Sequence, residues 1–381
     1  MMWTKAKIGD CCEITSSKRI FFSEYVESGI PFYRSKEIIE LSNCQEISDP
    51  LYISESKYDE IAHKFGIPQP GDMLLTSVGT IGIPYIVKEK DTFYFKDGNL
   101  TWFRNFNEGL DSRYLFYWVK SAEGQGVLNN TTIGSSQKAL TIAALKDLKI
   151  LCPPIGIQNR IVEILTSYDD LIENNQKQIK LLEEAAQRLY KEWFVDLCFP
   201  GHENTKITDG IPEGWSNAAV TDLLEIKYGK DHKALEDGLI PVYGSGGLVR
   251  KVNKKLHSGE SVLIPRKGSL NNLLLVNGDF WAIDTMFFGV PRKPNVAKYV
   301  YLFLSGLDMY AMNIGAAVPS MTVKILEGMR VLYPVEDVLE QFEKMVGPLF
   351  LLIELLKKKR ESLADARDLL LSELMSGELE V

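Results

Sequence analysis

The chain is written twice. WTKAKIGDCCEI from Trp3 returns as WSNAAVTDLLEI from Trp215, and IPFYRS from Ile30 returns as IPVYGS from Ile240. PGDMLL around Gly71 returns as SGESVL around Gly259, and IGSSQKALT from Ile133 as IGAAVPSMT from Ile314. The order is kept while the offset falls from 212 through 210 and 188 to 181. That is the pattern of a duplicated unit whose second copy has lost residues between its matched segments, since chance similarity scrambles order and scatters offsets. A long stretch of helix-forming residues follows each copy. The layout reads globule, helix, globule, helix, which suits a protein that touches two places on one extended target.

The helical stretches set the boundaries. From Ile157 the chain has no Gly or Pro until Pro200, and Tyr168, Ile172, Asn175, Ile179, Leu182, Ala186, Leu189 and Trp193 alternate four and three apart, a coiled-coil seam. The tail repeats the pattern after Pro348 with Leu349, Leu352, Leu356, Lys359, Leu363, Ala366 and Leu370. Its natural partner is the first helix. At about 1.5 Å per residue, some 35 residues make a rod of roughly 50 Å, so the pair can serve as a spacer, with Asn175 either fixing the register or lying on the surface. Pro153–Pro154 and Pro334 stand before the two helices, where proline blocks extension backwards. The expected architecture is mixed α/β, with an internal pseudo-two-fold repeat: globules at 1–152 and 201–333, and two long antiparallel coiled-coil helices at 153–200 and 334–381.

Inside the globules, DMLLTSV, IPYIV, SVLIP and LLLVNGDFWAI read as strands bounded by turn residues, and SRYLFYWVKS and AKYVYLFLS as one amphipathic helix per copy. The loops between them mix small polar residues with cations, which suits DNA: Gly lets backbone approach, hydroxyls and N–H groups bond phosphates, and Arg, Lys, Asn and Gln reach base edges. The candidates in the first copy are Lys18 and Arg19, then Arg34, Ser35 and Lys36, then Thr76, Ser77 and Thr80, then Ser135, Ser136, Gln137 and Lys138. In the second copy they are Tyr243 and Ser245, then Arg266, Lys267, Ser269, Asn271 and Asn272, with NIGAAVPS beyond. Any one loop also reads as an ordinary turn; corresponding loops in both copies strengthen the DNA reading.

Net charge is −8, but its distribution is uneven. The charge is −2 over 1–152, −3 over 153–200, +2 over 201–333 and −5 over 334–381, so the helices hold most of the excess acid. Lys227, Lys230, Lys233, Arg250, Lys251, Lys254, Lys255, Arg266 and Lys267 give the second globule a basic surface, either merely solvated or seated on phosphates. Cys11, Cys12, Cys44, Cys152 and Cys198 have no CxxC spacing and an odd count, which argues against a disulfide framework or a zinc site and for a reducing cytoplasm. No apolar run approaches a membrane span or a signal core. The four histidines are scattered, and there is no HExxH, GxSxG or GxxxxGK[ST]. The proline-rich tetrapeptide of adenine methyltransferases and the spaced acids of many nucleases are missing too. No catalytic site, metal site or bound cofactor is expected.

Four features together carry a family resemblance: PEGW at Pro212–Trp215, FWAIDTMFF at Phe280–Phe288, the Pro153, Pro154, Gln158 pattern, and a helix ending LYKEWF. With the duplication, they make the whole chain resemble the specificity subunit of type I restriction-modification systems. In the second copy the corresponding segment, YPVEDVLEQF, departs from the pattern, with one proline and a longer step to Gln341. The resemblance implies two target-recognition domains that read a two-part site on double-stranded DNA, with helix length setting the unread gap. It also implies two methyltransferase subunits carrying S-adenosylmethionine, and restriction subunits that translocate and cut, using ATP and magnesium. Because YRSK differs from YGSG and TSVGT from PRKGS, the site is expected to be asymmetric. Leu171, Leu181, Phe194, Val195, Leu351, Ile353 and Leu369 lie off the seam and are expected to dock the methyltransferase subunits or to pack on the globules. Inserting about four residues near Ala185 should lengthen the gap by about one or two base pairs, and Asn272 is expected to read an adenine edge. A coiled-coil scaffold that never touches DNA is the alternative.

Overall fold

The computed structural model describes residues 3–43, 45, 47–134, 138–313 and 319–381. The chain divides into two compact units: residues 1–175 with 359–381, and residues 176–358. Each unit thus holds one globule and portions of both long helices. The helices run Ile155–Tyr190, continued by a π turn at Lys191–Val195, and Glu336–Ser376.

In the first unit a four-stranded antiparallel sheet has the order Glu13–Thr15, Leu100–Arg104, Met73–Thr76, Pro84–Ile86. A second sheet pairs Ile30–Tyr33 in parallel with Tyr94–Phe95 and antiparallel with Leu51–Ile53. Thr4–Lys7 closes the globule by pairing with Lys149–Cys152, next to the first long helix. The second unit repeats this plan. Its antiparallel sheet runs Leu224–Tyr228, Met286–Pro291, Ser261–Pro265, Leu274–Val276, and Asp237–Gly244 pairs in parallel with Asp279–Ala282. Ser216–Ala219 pairs with Arg330–Tyr333 as the closing ribbon. The residues absent from the second copy account for the shrinking offset: the first has helices at Ser35–Ser42, Glu55–Phe65 and Ala122–Thr131, whereas the second spans the corresponding places with the hairpin Asp237–Gly244 and Gly247–Val252 and with turns after Val296–Ser305.

Several repeated residues are structural. Thr141 and Thr322, which close the IGSSQKALT and IGAAVPSMT matches, each accept a backbone N–H as N-caps of the helices Ile142–Asp147 and Val323–Gly328. Tyr114 and Tyr299 each donate a hydroxyl to the carbonyl of the closing ribbon, at Leu151 (2.9 Å) and Leu332 (2.6 Å).

The helix pair is antiparallel. In the first unit, Ile161, Val162 and Leu165 share a buried cluster with Leu371, Leu374 and Met375, and Asp169 meets Arg367 at 2.6 Å while accepting from the Tyr117 hydroxyl at 2.8 Å. In the second unit, Ile179 packs with Ile353 and Leu356, flanked by an ion pair between Glu183 and Lys357 at 3.1 Å. The expected seam of the first helix holds throughout, and Asn175 is buried on it. The tail seam holds at Leu349, Leu356, Leu363 and Leu370, whereas at two alternate steps the neighbour faces inward: Ile353 is buried and Arg360 half-buried, and Leu352 and Lys359 are exposed. LFLLIELL is apolar all round, so its spacing satisfies either stripe, and the partner helix decides. The second helix starts at Glu336, and Pro348 lies inside it. A helix-interior proline costs about 3 kcal/mol; here Leu339, Phe342 and Val346, all buried in the second unit's core, hold the turns before it.

Candidate nucleic-acid interface

In the first unit the polar loops meet at the Asp97–Asn99 turn, between the strands Tyr94–Phe95 and Leu100–Arg104. Arg19 Nε donates to Asp97 Oδ2 at 2.9 Å, and Ser16 Oγ accepts from Gly98 N–H at 3.4 Å. The Asn99 carbonyl accepts from Ser77 N–H at 2.8 Å and from Ser35 Oγ at 3.4 Å. Ser77 in turn accepts from Leu140 N–H at 2.8 Å, and Gly79 N–H reaches the Lys138 carbonyl at 3.4 Å. Four loops far apart in sequence therefore form one surface.

The second unit builds the same frame. Tyr243 accepts from Ile283 N–H at 2.9 Å as Tyr33 accepts from Lys96 N–H at 2.8 Å. Thr285 accepts from Arg266 N–H (2.8 Å) as Asn99 does from Ser77, and Arg266 accepts from Met321 N–H (2.9 Å) as Ser77 does from Leu140. Gly268 N–H bonds Pro319 as Gly79 N–H bonds Lys138, and both glycines have positive φ, at 85° and 78°, a conformation that costs other residues roughly 1–2 kcal/mol. Lys267 pairs with Ser320 as Val78 pairs with Ala139.

The side chains on these frames differ. Lys18, Arg19, Lys36, Thr80 and Lys138 are exposed, with Arg19 paired to Asp97, Lys36 within 4.0 Å of Glu40, and Lys18 Nζ over the Phe65 ring at 4.5 Å. Arg34 is anchored by the fully buried Glu37, whose hydrogen bond raises the guanidinium pKa further above its ordinary value. In the second unit Lys267 and Ser269 are exposed, and Lys267 is in no ion pair among the described residues. Arg266 lies over the rings of Tyr228 (5.4 Å) and Phe287 (5.9 Å), and Tyr243 is half-buried. Ser135, Ser136 and Gln137 lie outside the described residues, as do 314–318 of the NIGAAVPS loop.

Residues 2–184 match the family model described as the type I restriction modification DNA specificity domain. Residues 2–184 thus carry that specificity domain, and over its whole length the chain is similar to specificity subunits of type I restriction-modification systems. It is similar to the type I restriction enzyme MjaIX specificity subunit of Methanocaldococcus jannaschii, at 27% identity over 100% of this chain and 94% of that one. The putative type I restriction enzyme specificity subunit S.HindORF215P of Haemophilus influenzae is 30% identical over 50% of this chain and 46% of its own length. In fold, the crystal structure of the type I S subunit from M. genitalium matches with a TM-score of 0.60 at 17% identity, covering 98% of this chain and 96% of that one.

Within this family frame, the short motifs prove to be braces. Gln158 is fully buried: its amide accepts from Asp111 N–H and donates to Gly109 and Pro153, each at 2.9 Å, locking the first long helix to its globule. Among the described residues the second copy shows no such glutamine lock; Gln341 is exposed and Phe342 fills the core beside it. Trp215 of PEGW packs against Phe194 (5.9 Å) and Phe199 (4.6 Å). FWAIDTMFF carries the turn Ile283–Thr285 on which the second frame is hung.

Several expected surface roles change. Thr76 and Ser77 are buried: Thr76 Oγ1 accepts from Ile83 N–H at 2.9 Å, and the Ser77 and Thr101 hydroxyls bond at 2.7 Å, so neither side chain is free to reach DNA. Asn272 spends its amide N–H on the Ser245 carbonyl (2.8 Å) and Asn271 its amide oxygen on Met309 N–H (2.9 Å). Asn272 thus ties PRKGSLNN to YGSGG rather than presenting a full bidentate edge to adenine. Arg250 is likewise a pin, donating to the carbonyls of His232 (2.6 Å) and Leu235 (2.8 Å). Of the residues expected to dock the methyltransferase subunits or to pack on the globules, Phe194 and Ile353 are buried in the second unit. Sequence reasoning passed over Asp97–Asn99 and Asp284–Thr285, whose bonds run through the carbonyls of Asn99 and Thr285 and so leave no residue signature.

Among the described residues, no helix is long and apolar enough to cross a membrane, and no three His, Cys, Asp or Glu side chains gather as metal ligands.

Proposed function

We propose that this chain, a non-catalytic DNA-specificity subunit acting in a multi-subunit complex, reads a two-part asymmetric site, one part per unit. One observation carries this: the same loop frame occurs twice, with Thr76-Ser77-Val78-Gly79 on the first and Pro265-Arg266-Lys267-Gly268 at the corresponding places on the second. A shared backbone frame approaches a duplex alike in both units, while different side chains present different groups to the bases. Lys18, Arg19, Lys36, Thr80 and Lys138 supply the first unit's contacts; Ser245, Arg266, Lys267 and Ser269 supply the second's. Mobility-shift titration with cognate and random duplex across salt tests this. Binding to both whose logarithm falls linearly with log salt supports it, and salt-independent absence of binding would leave a scaffold.

The long helices supply the partner surface. Leu171 and Leu369 in the first unit, and Leu181, Val195, Leu351, Leu352 and Leu355 in the second, are exposed apolar residues off the seam. They dock one methyltransferase subunit per unit by the internal pseudo-symmetry. S-adenosylmethionine, ATP and magnesium belong to the partner subunits and to the restriction subunits that join them.

A further inference from the structure

Beside the Asp97–Asn99 turn lies a cleft of about 620 Å³ whose walls include Arg19, Phe21, Phe22, Tyr25, Arg34 and Lys96. Phe22 is 86% exposed and Phe21 62%. Two adjacent phenyl rings in water forgo the stabilisation that burying each would return, and here the turn holds them out. Glu24 accepts from Phe21 N–H at 2.8 Å and pairs with Lys57 at 3.0 Å, fixing the 3-10 turn Phe22–Glu24. Phe22 lies edge-on to Tyr25 with centroids 5.7 Å apart, and Tyr25 rests on the fully buried Phe32 at 5.3 Å. Phe22 is therefore rooted in the core without being part of it.

Charge points to the occupant. Three cations and one acid, Asp97, lie on the cleft in a chain of net charge −8. Aromatic rings beside cations suit nucleic-acid bases flanked by phosphates: a side chain can wedge between base steps and stack on the base it frees. The second copy has no counterpart. After the strand Leu224–Tyr228 its chain turns back at once, with Lys230 N–H on the Ala282 carbonyl at 2.8 Å and no aromatic pair following.

We propose that Phe22, backed by Phe21, opens one base step in the half-site read by the first unit and stacks on the exposed base. This rests on the loop surface being the DNA face. The experiment scans 2-aminopurine through that half-site, in complex with the full chain and its methyltransferase partners. The wild-type chain should raise fluorescence at one position. Phe22→Ala should abolish the rise and weaken cognate binding about tenfold or more, leaving the salt slope unchanged, while Phe22→Trp restores the signal. Because Phe22 is exposed, an unaltered melting temperature will show that Phe22→Ala still folds.

Tight cognate binding with no rise at any position would overturn the wedge and leave DNA reading intact. No salt-dependent binding by the wild-type chain would overturn both. If Phe22→Ala kept its DNA signal but lost a partner subunit in gel filtration, the cleft would be a protein-docking surface and the proposal wrong.

Discussion

Between Tyr33 and Gly71 the first unit carries two helices, Ser35–Ser42 and Glu55–Phe65, whereas the second crosses the equivalent stretch with little more than a hairpin. Yet the backbone bonds on either side agree pair by pair: Lys96 to Tyr33 with Ile283 to Tyr243, Ser77 to Asn99 with Arg266 to Thr285, and Leu140 to Ser77 with Met321 to Arg266. The frame survives because it is made of main-chain groups, which any residue supplies. What changes is what the frame displays. At one corresponding point the first unit buries a serine and the second extends an arginine over Tyr228 and Phe287. A duplicated scaffold with unlike displays is a means of reading two different sequences with one fold.

The largest change in the site itself should come from moving the two units apart. Ala186 is completely buried in the second unit, so an insertion near Ala185 would disturb that core rather than test spacing. Seven residues inserted at Asn175–Gln176 and seven at Lys358–Lys359 keep the seam and add about 10 Å of helix, or roughly three base pairs of unread DNA at 3.4 Å each. Both half-sites should stay as they were. A mapped gap of unchanged length in this variant would remove the spacer role.

Next in size is the contrast between buried and exposed apolar residues on the first helix. Phe194→Ala, which removes a ring packed on Trp215, Tyr299 and Phe342, should destabilise the second unit by about 3–5 kcal/mol in denaturant unfolding. Leu181→Ala, on an exposed side chain, should stay within about 0.5 kcal/mol of the parent while weakening methyltransferase binding in calorimetry. Equal stability losses would mean that the two residues do not differ in role as their burial implies.

Smallest are changes on the second frame. Lys267→Ala should weaken cognate and random duplex alike and flatten the salt slope by about one unit. Asn272→Ala, which cuts the tie to Ser245, should weaken cognate binding through the second half-site only, with the slope unchanged. Wild-type behaviour of both variants across a salt titration would take this loop out of the interface.

How much of this could be read from the residues follows from the kind of signal each feature leaves. The duplication and the first seam rest on spacing, and Asn175, Ile179, Ala186 and Trp193 are buried as their spacing requires. The tail seam is legible at Leu349, Leu356, Leu363 and Leu370 but not at Leu352, where leucines on every side leave two stripes equally apolar and Ile353 is the one buried. Loop composition located the polar loops but not the direction of their side chains: Thr76 and Ser77 have the residue types of a phosphate contact and are consumed by Ile83 and Thr101. The turns that gather the loops, Asp97–Asn99 and Asp284–Thr285, act through carbonyls, which leave no mark on side-chain identity. Phe21 and Phe22 read as core residues by type; only their exposure sets them apart.

The claim that two like frames read unlike sequences is tested most directly by methylome sequencing of a strain that carries this chain with its partner subunits. The account predicts methylation at a bipartite site whose two parts differ in sequence and are separated by a fixed run of unread bases. A perfectly palindromic site, or a single uninterrupted one, would contradict it.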